Sequence, residues 1–223
     1  MLAIIQARMS SQRLPGKVLR EMAGKPMLYW VCERLRQTSL LSDVVVATSE
    51  EASDDPLCDY CSTNSIPYYR GSLDNVAIRF LECARREHAK VFVRVNGDSP
   101  LIDPLLIDHG VALQISTGCD LASNVVRRSY PKGQSVEVIR TSALEEACER
   151  MVDAQDNEHV TRYFYAHPEL FKIESFSSGK AMGDVQLSVD TSEDFQAAET
   201  ILKQKGSFVS WETAATCLLE AGI

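Results

Sequence analysis

Short apolar runs alternate with stretches of helical spacing along this chain, and that alternation leaves few folds open. Leu2-Ala3-Ile4-Ile5 begins the first run, over residues 2–6, and Asp43-Val44-Val45-Val46-Ala47-Thr48 and Val91-Phe92-Val93-Arg94-Val95 follow the same plan. Runs this short and this continuously apolar suit strands covered on both faces. Between them, apolar residues recur every three or four positions. Over 27–38 they are Met27, Leu28, Val31, Cys32 and Leu35; over 73–87 they are Val76, Phe80, Cys83 and Ala84. Residues 54–64 and 104–116 also read as helices, and 66–69 as a short extended piece. Strand and helix in turn predict an α/β fold: a doubly wound, mainly parallel sheet with helices on both sides.

Beyond about residue 120 the pattern changes. Residues 135–139 and 172–176 alternate in polarity, as half-exposed strands do. Residues 185–189 read as a further strand ending at Asp190, and 141–151, 158–166, 192–204 and 211–221 as helices. An antiparallel hairpin elaborating the same sheet is expected. With no internal repeat and no low-complexity linker, the 223 residues read as one domain, 1–223.

The first strand opens into Gln6-Ala7-Arg8-Met9-Ser10-Ser11-Gln12-Arg13-Leu14-Pro15-Gly16-Lys17. Arg8, Arg13 and Lys17 have no acidic neighbour anywhere in residues 1–20, so the loop wants a polyanion. At the carboxyl end of a strand in an α/β sheet that is usually a phosphate-bearing ligand. The chain as a whole carries a net charge of −8 and a pI near 5.1, which argues against broad nucleic-acid binding. The positive charge is local and suits a small anion. A Walker A loop is excluded, because position 11 is Ser11 and Lys17 is followed by Val18; no G-x-G-x-x-G is present either.

Seven cysteines, Cys32, Cys58, Cys61, Cys83, Cys119, Cys148 and Cys217, are scattered through apolar helical positions. The lone C-x-x-C at Cys58 and Cys61 has no second pair and no nearby histidine, so it reads as two core-facing thiols on one helix. No leader peptide and no membrane span are expected, and a reducing cytoplasm is the expected setting.

The opening strand with its loop 5–17 closely resembles the start of the cytidylyltransferases that make CMP-activated acidic sugars. Ala23-Gly24-Lys25-Pro26-Met27-Leu28, Val44-Val45-Val46-Ala47-Thr48-Ser49, Tyr69-Arg70-Gly71-Ser72, Asn96-Gly97-Asp98-Ser99-Pro100-Leu101-Ile102 and Val189-Asp190-Thr191 fall in that family's order. The likeness looks closest to the branch called spore coat polysaccharide biosynthesis protein F. It implies a nucleotide-diphospho-sugar transferase type of fold, with a nucleotide-binding half at 1–118 and a substrate and dimerisation half at 119–223. It also implies a reaction in which a sugar hydroxyl attacks the α-phosphate of CTP and pyrophosphate leaves.

By the same resemblance Arg8, Lys17, Asp98 and Asp190 carry the chemistry. Gln6, Ala7, Ser10, Ser11, Arg13, Arg70, Gly71 and Asn96 join Arg8, Lys17 and Asp98 around the nucleotide, and Asp98 and Asp190 hold Mg²⁺. Tyr130, Lys132, Glu137 and His159 are the candidates for the sugar side. The implied partners are CTP, a sugar acid and a second copy of the chain. From residue types alone, Asp98 also suits a turn, and Asp190 a helix cap, although Thr191 and Asp194 already form a capping-box pattern. His159 also suits a plain surface position. A glycosyltransferase using a nucleotide-sugar is disfavoured by the lack of any Asp-x-Asp. A non-catalytic nucleotide-binding module is disfavoured by the retention of both Asp98 and Asp190. No H-E-x-x-H is present for metalloprotease chemistry.

Overall fold

Successive residues along a central strand point to opposite sides of the sheet. In the computed structural model, which describes residues 1–221, both sides are covered. The elements in chain order are β1 (Leu2–Gln6), β2 (Glu21–Met22), β3 (Lys25–Pro26), α1 (Met27–Leu35), β4 (Asp43–Ser49), α2 (Asp55–Thr63), β5 (Tyr68–Gly71), α3 (Val76–Arg86) and β6 (Val91–Asn96). They continue with α4 (Pro104–Thr117), β7 (Leu121–Ser123), β8 (Glu137–Arg140), α5 (Thr141–Arg150), α6 (Ala154–Glu158), α7 (Arg162–Ala166), β9 (Ile173–Ser175), α8 (Ser192–Lys205) and α9 (Trp211–Ala221). Ala3, Ile5, Val46 and Val93 pack on α1, α2, α4, α8 and α9. Ile4, Val45 and Phe92 pack on α3, α5 and α7. The continuous apolar runs thus supply two cores at once, as strands buried on both faces require.

The main sheet has the order β5-β4-β1-β6-β8-β7-β9. The first four are parallel, β8 runs antiparallel to β6 and β7, and β9 is parallel to β7. This is the expected mainly parallel α/β sheet with an antiparallel pair in the second half; β2 and β3 form a separate small antiparallel pair. Gln6 stands level with Ala47 and Asn96, so the loops leaving β1, β4 and β6 emerge along one edge. That edge is where open α/β sheets place ligands.

Several expectations need correction. Residues 185–189 are not a strand. They make one isolated bridge, Lys132 with Gln186. Val185 O and Leu187 N bond to the backbone of Lys132, the Val185 amide donates to Met182 O at 3.1 Å, and the Val189 amide donates to Asp98 O at 2.8 Å. The segment crosses two other backbones instead of running beside one. Gly133 makes that crossing possible, because a Cβ there would lie 2.5 Å from the Ser188 nitrogen. The helix expected over 158–166 begins only at Arg162; Glu158 ends a separate short helix, Ala154–Glu158, and residues 159–161 turn between the two. The extended piece at 66–69 shifts to β5.

Cys58 and Cys61 are buried on α2, as read from the sequence, and all seven cysteines are free thiols. Burial pushes Cys61 up to about 12 and Cys32 up to about 11, so neither offers a thiolate near neutrality. Among the described residues, no helix is long and apolar enough to cross a membrane.

Candidate functional site

The site starts where β1 stops. The Gly97 amide donates to Gln6 O at 2.8 Å, which draws the β6 loop against the β1 loop. Only glycine allows that approach, since a Cβ at Gly97 would lie 2.9 Å from Gln6 O and 3.0 Å from the Ala7 Cβ. The β1 loop then folds on itself. Met9 O accepts from Ser11 N at 3.0 Å and from Gly16 N at 2.9 Å, while the Met9 amide donates to Asp54 Oδ1 at 2.6 Å. Asp54 is fully buried and also accepts from Thr48 Oγ1, Ser49 Oγ and Ser49 N. Burial pushes its carboxyl up, but the hydrogen bonds from Ser49, Met9 and Thr48 outweigh that and hold it below the ordinary value.

The three loop cations all find counter-charges, and these come from far along the chain. Lys17 is buried, with Nζ 2.6 Å from Val189 O and 3.4 Å from both Asp98 Oδ2 and Asp190 Oδ1. Arg13 lies 2.9 Å from Asp190 Oδ1, and Arg8 lies 3.3 Å from Glu158 Oε1. Both aspartates face one ammonium, so their oxygens lie within twice 3.4 Å of each other. Asp190 is not the helix cap. Asp194 Oδ2 accepts from the amides of Asp190 and Thr191, Thr191 Oγ1 accepts from Asp194 N, and the Asp190 carboxylate caps nothing but faces the cleft, where it meets Lys17, Arg13 and Gln186 Nε2. Asp98 is not the turn-maker either. The backbone bond from Ser99 N to Asn96 O closes the turn, and Asp98 Oδ1 accepts only from Ser99 Oγ.

These groups line a cleft of about 660 Å³ together with Gln6, Ala7, Ser11, Asn96 and Gly97. A second cleft of about 330 Å³ adjoins it, and Asn96 and His159 line both. Glu137 forms part of the second. It accepts from Arg94 Nη1 at 2.5 Å, Tyr165 Oη at 2.6 Å and Thr161 Oγ1 at 2.7 Å. Burial works to raise its carboxyl, but Arg94 and the two hydroxyls together hold it below the ordinary value. Arg94 Nη2 also donates to Gln6 Oε1 at 3.3 Å, which joins the walls of the two clefts. Arg128 lines the second cleft and has no carboxylate partner among the described residues. A cleft of similar volume at the opposite edge, around Met1, Asp43 and Lys90, has no comparable array of paired charges.

Other sequence-derived candidates lie elsewhere. Arg70 is spent on Ser49 O, Asp55 and Glu51 O, tying β5 to the turn before α2. Gly71 is pressed against Tyr69 and Arg79. Ser10 is exposed outside the cleft. Tyr130 is buried between Phe176 and Trp211. Lys132 is exposed and acts through its backbone. Conversely, Gln12 and Gln155 line the first cleft, and Asp54 and Arg94 order its walls. Gln155 and Arg94 carry no local signal, and Asp54 in Asp54-Asp55-Pro56 looks like an ordinary helix start.

Among the described residues, no group of three or more His, Cys, Asp and Glu is placed to hold a metal. Mg²⁺ asks for less: one or two carboxylates, with phosphates and water completing its shell. The pair Asp98 and Asp190, converging on one cation, fits that donor set.

A family model described as cytidylyltransferase matches residues 2–213. The chain is 31% identical over 212 residues to the spore coat polysaccharide biosynthesis protein SpsF of Bacillus subtilis, covering 92% of this chain and 87% of that protein. It is 38% identical over 110 residues to a 3-deoxy-manno-octulosonate cytidylyltransferase of Geobacter metallireducens, 49% of this chain and 42% of that one. A solved cytidylyltransferase from Leptospira borgpetersenii superposes with a TM-score of 0.93 at 28% identity, covering 99% of this chain and 94% of that one. A CMP:2-keto-3-deoxy-manno-octonic acid synthetase solved with CTP shares the fold, with a TM-score of 0.70 at 20% identity, over 92% of this chain and 99% of that one.

Proposed function

This chain belongs to the cytidylyltransferase family, and we propose that it moves CMP from CTP onto a hydroxyl of an acidic sugar or related metabolite, releasing pyrophosphate, to supply the making of a surface polysaccharide or glycan. The observation that carries this reading is the meeting of Arg8, Arg13 and Lys17 with Asp98 and Asp190 in one cleft at the carboxyl edge of the sheet. A second cleft opens beside it, with Arg128 unmatched by any carboxylate among the described residues. The relatives' names, a polysaccharide biosynthesis protein and a cytidylyltransferase for an acidic sugar, point the same way. The seven free cysteines fit a reducing cytoplasm.

The triphosphate takes the place of resident carboxylates. Arg8 turns from Glu158 to phosphate oxygens, and Arg13 and Lys17 do the same from Asp190 and Asp98. The exposed pairs are each worth about 0–1 kcal/mol, so a multiply charged ligand displaces them readily. Arginine offers its planar fork to phosphate and Lys17 a point charge, and both stabilise pyrophosphate as it departs. Gln6, Ala7 and Asn96 line the nucleoside side. The acceptor lies in the second cleft with its carboxylate toward Arg128. Asp98 and Asp190 would hold Mg²⁺, which when bound neutralises and orients phosphate oxygens. Positioning and charge stabilisation then account for most of the rate, as is general in phosphoryl-type transfer.

The test is pyrophosphate release from CTP, ATP, GTP and UTP with Mg²⁺ against a panel of sugar acids that includes 3-deoxy-manno-octulosonate and N-acetylneuraminate. CTP alone should support turnover. Lys17→Ala should weaken CTP binding by about 1.5–3 kcal/mol in calorimetry, the range for hydrogen bonds to charged groups. Equal CTP affinity in the two proteins would remove the loop from the site.

A further inference from the structure

The two clefts share a wall, and that wall contains Asn96 and His159. On the function proposed above, on which this inference rests, the phosphates fill the first cleft and the acceptor the second. The attacking hydroxyl then passes between these two side chains on its way to the α-phosphorus. An amide such as Asn96 takes up no proton near neutrality, whereas an imidazole does.

The chain holds His159 at this junction from both sides. Glu158 reaches into the first cleft to Arg8, and Thr161 reaches into the second to Glu137. The His159 amide donates to Gln155 O at 3.0 Å, its carbonyl accepts from Arg162 N at 2.6 Å, and its ring has no hydrogen-bond partner among the described residues. The break between α6 and α7 falls at this residue and turns its side chain out of the helical pattern.

Among the side chains that line the second cleft, where the acceptor lies, no other is free to take a proton. Glu137 is saturated by Arg94, Tyr165 and Thr161. The Tyr165 hydroxyl is already committed to Glu137, and burial pushes it well above the ordinary tyrosine value. Before a ligand enters, the charges lining the two clefts are paired: Arg8 with Glu158, Lys17 with Asp98 and Asp190, and Arg13 with Asp190 in the first, Arg94 with Glu137 and Arg162 with Asp156 in the second or at its rim. Among the described residues lining the two clefts, Arg128 alone has no carboxylate partner, and it is left for the acceptor's own carboxylate.

We infer that His159 is the general base of the transfer. A ring nitrogen lone pair takes the acceptor hydroxyl proton as the oxygen bonds to the α-phosphorus. The bond from that phosphorus to the oxygen bridging the β-phosphate breaks, and pyrophosphate leaves with the electron pair. The imidazolium then returns its proton to water.

The experiment compares wild type, His159→Gln and His159→Ala in pyrophosphate release from CTP, Mg²⁺ and whichever panel sugar acid the wild type uses. Loss of a general base costs about 10²–10⁴-fold, so kcat of His159→Gln should fall by at least about a hundredfold. KM for CTP should stay within about twofold, and the acid limb of the pH profile should vanish. Added imidazole should restore turnover to His159→Ala in proportion to its neutral fraction. Turnover of His159→Gln close to wild type, or an acid limb unchanged in it, overturns the assignment while leaving cytidylyl transfer standing. Loss of CTP binding in both variants by calorimetry overturns it in favour of a structural role. A wild type that releases no pyrophosphate with any panel acid removes this assignment and the proposed function together.

Discussion

The Met9 amide donates to Asp54 at 2.6 Å, and through that bond the basic loop depends on a carboxylate that does not line the cleft. Asp54 sits below its ordinary pKa in the folded chain, so its stabilising contribution is present above about 3.9, the unfolded value, and is lost as pH falls through the folded one. Asp54→Asn is therefore expected to cost about 1.5–3 kcal/mol at pH 7 in urea unfolding. The gap to wild type should narrow as the pH drops below about 4. A gap that stays constant down to pH 3 would mean that the charge of Asp54 is not its source. At this scale the cations were legible in the sequence and their counter-charges were not. Arg8, Arg13 and Lys17 stand together in one loop, but Asp98 lies 81 positions from Lys17, Glu158 lies 150 from Arg8 and Asp190 lies 173 from Lys17. A loop that looked unsatisfied in one dimension is matched in three. The same blindness applies to Arg70, whose position in a family motif gave no sign that each of its three nitrogens donates elsewhere, to Ser49 O, Asp55 and Glu51 O.

The central parallel strands were readable; the short β7, which the sequence does not mark, and the segments defined by crossings were not. β1, β4 and β6 carry apolar residues on both sides of the pleat, and their ends fall within a residue of the expected ones. Residues 185–189 alternate apolar and polar residues as a strand does, yet their backbone is fastened at Met182, Lys132, Asp98 and the Lys17 ammonium, a geometry that periodicity cannot report. The break at His159 is similar, since Thr161 and Arg162 are committed to Glu137 and Asp156 rather than to a continuing helix face. The capping box of α8 was readable, because it is local, and it has a consequence for the cleft. Asp194 Oδ2 holds the amides of both Asp190 and Thr191, at 2.9 and 2.8 Å, so the start of the helix fixes where the Asp190 carboxylate stands. Asp194→Ala should lower stability by about 0.5–2 kcal/mol, as cap losses do. It should also reduce turnover by more than Glu193→Ala, a neighbour that does not hold the Asp190 amide. Equal turnover in the two variants would separate the cap from the site.

The sheet ends in two edges, and they are treated differently. At β5, Arg86 donates to Tyr68 O and lies over the Tyr69 ring, placing charge along the edge, one of the ways proteins keep an edge strand from pairing. At β9, a cleft of about 560 Å³ lined by Val125, Val126, Tyr165, Pro168, Ile173 and Ser175 adjoins the last strand. Val126 and Leu170 are 50% and 41% exposed beside it. Apolar surface next to an uncovered edge is the usual mark of an association site. A homodimer joined through the β9 side is the expected assembly. It would set the second copy close to the acceptor cleft, since Tyr165 and Val125 line both. Light scattering at micromolar concentration should give twice the chain mass of 24.8 kDa. Val126→Asp should shift the population toward 24.8 kDa without unfolding the chain, because the residue is half exposed and its substitution opens no core cavity. If dimerisation shapes the acceptor cleft, that variant should raise KM for the sugar acid and leave CTP affinity alone, the nucleotide loop lying on the far side of β6. A wild type that scatters as a monomer of 24.8 kDa would refute the dimer and leave the β9 edge to be protected by Glu174 and the shortness of the strand.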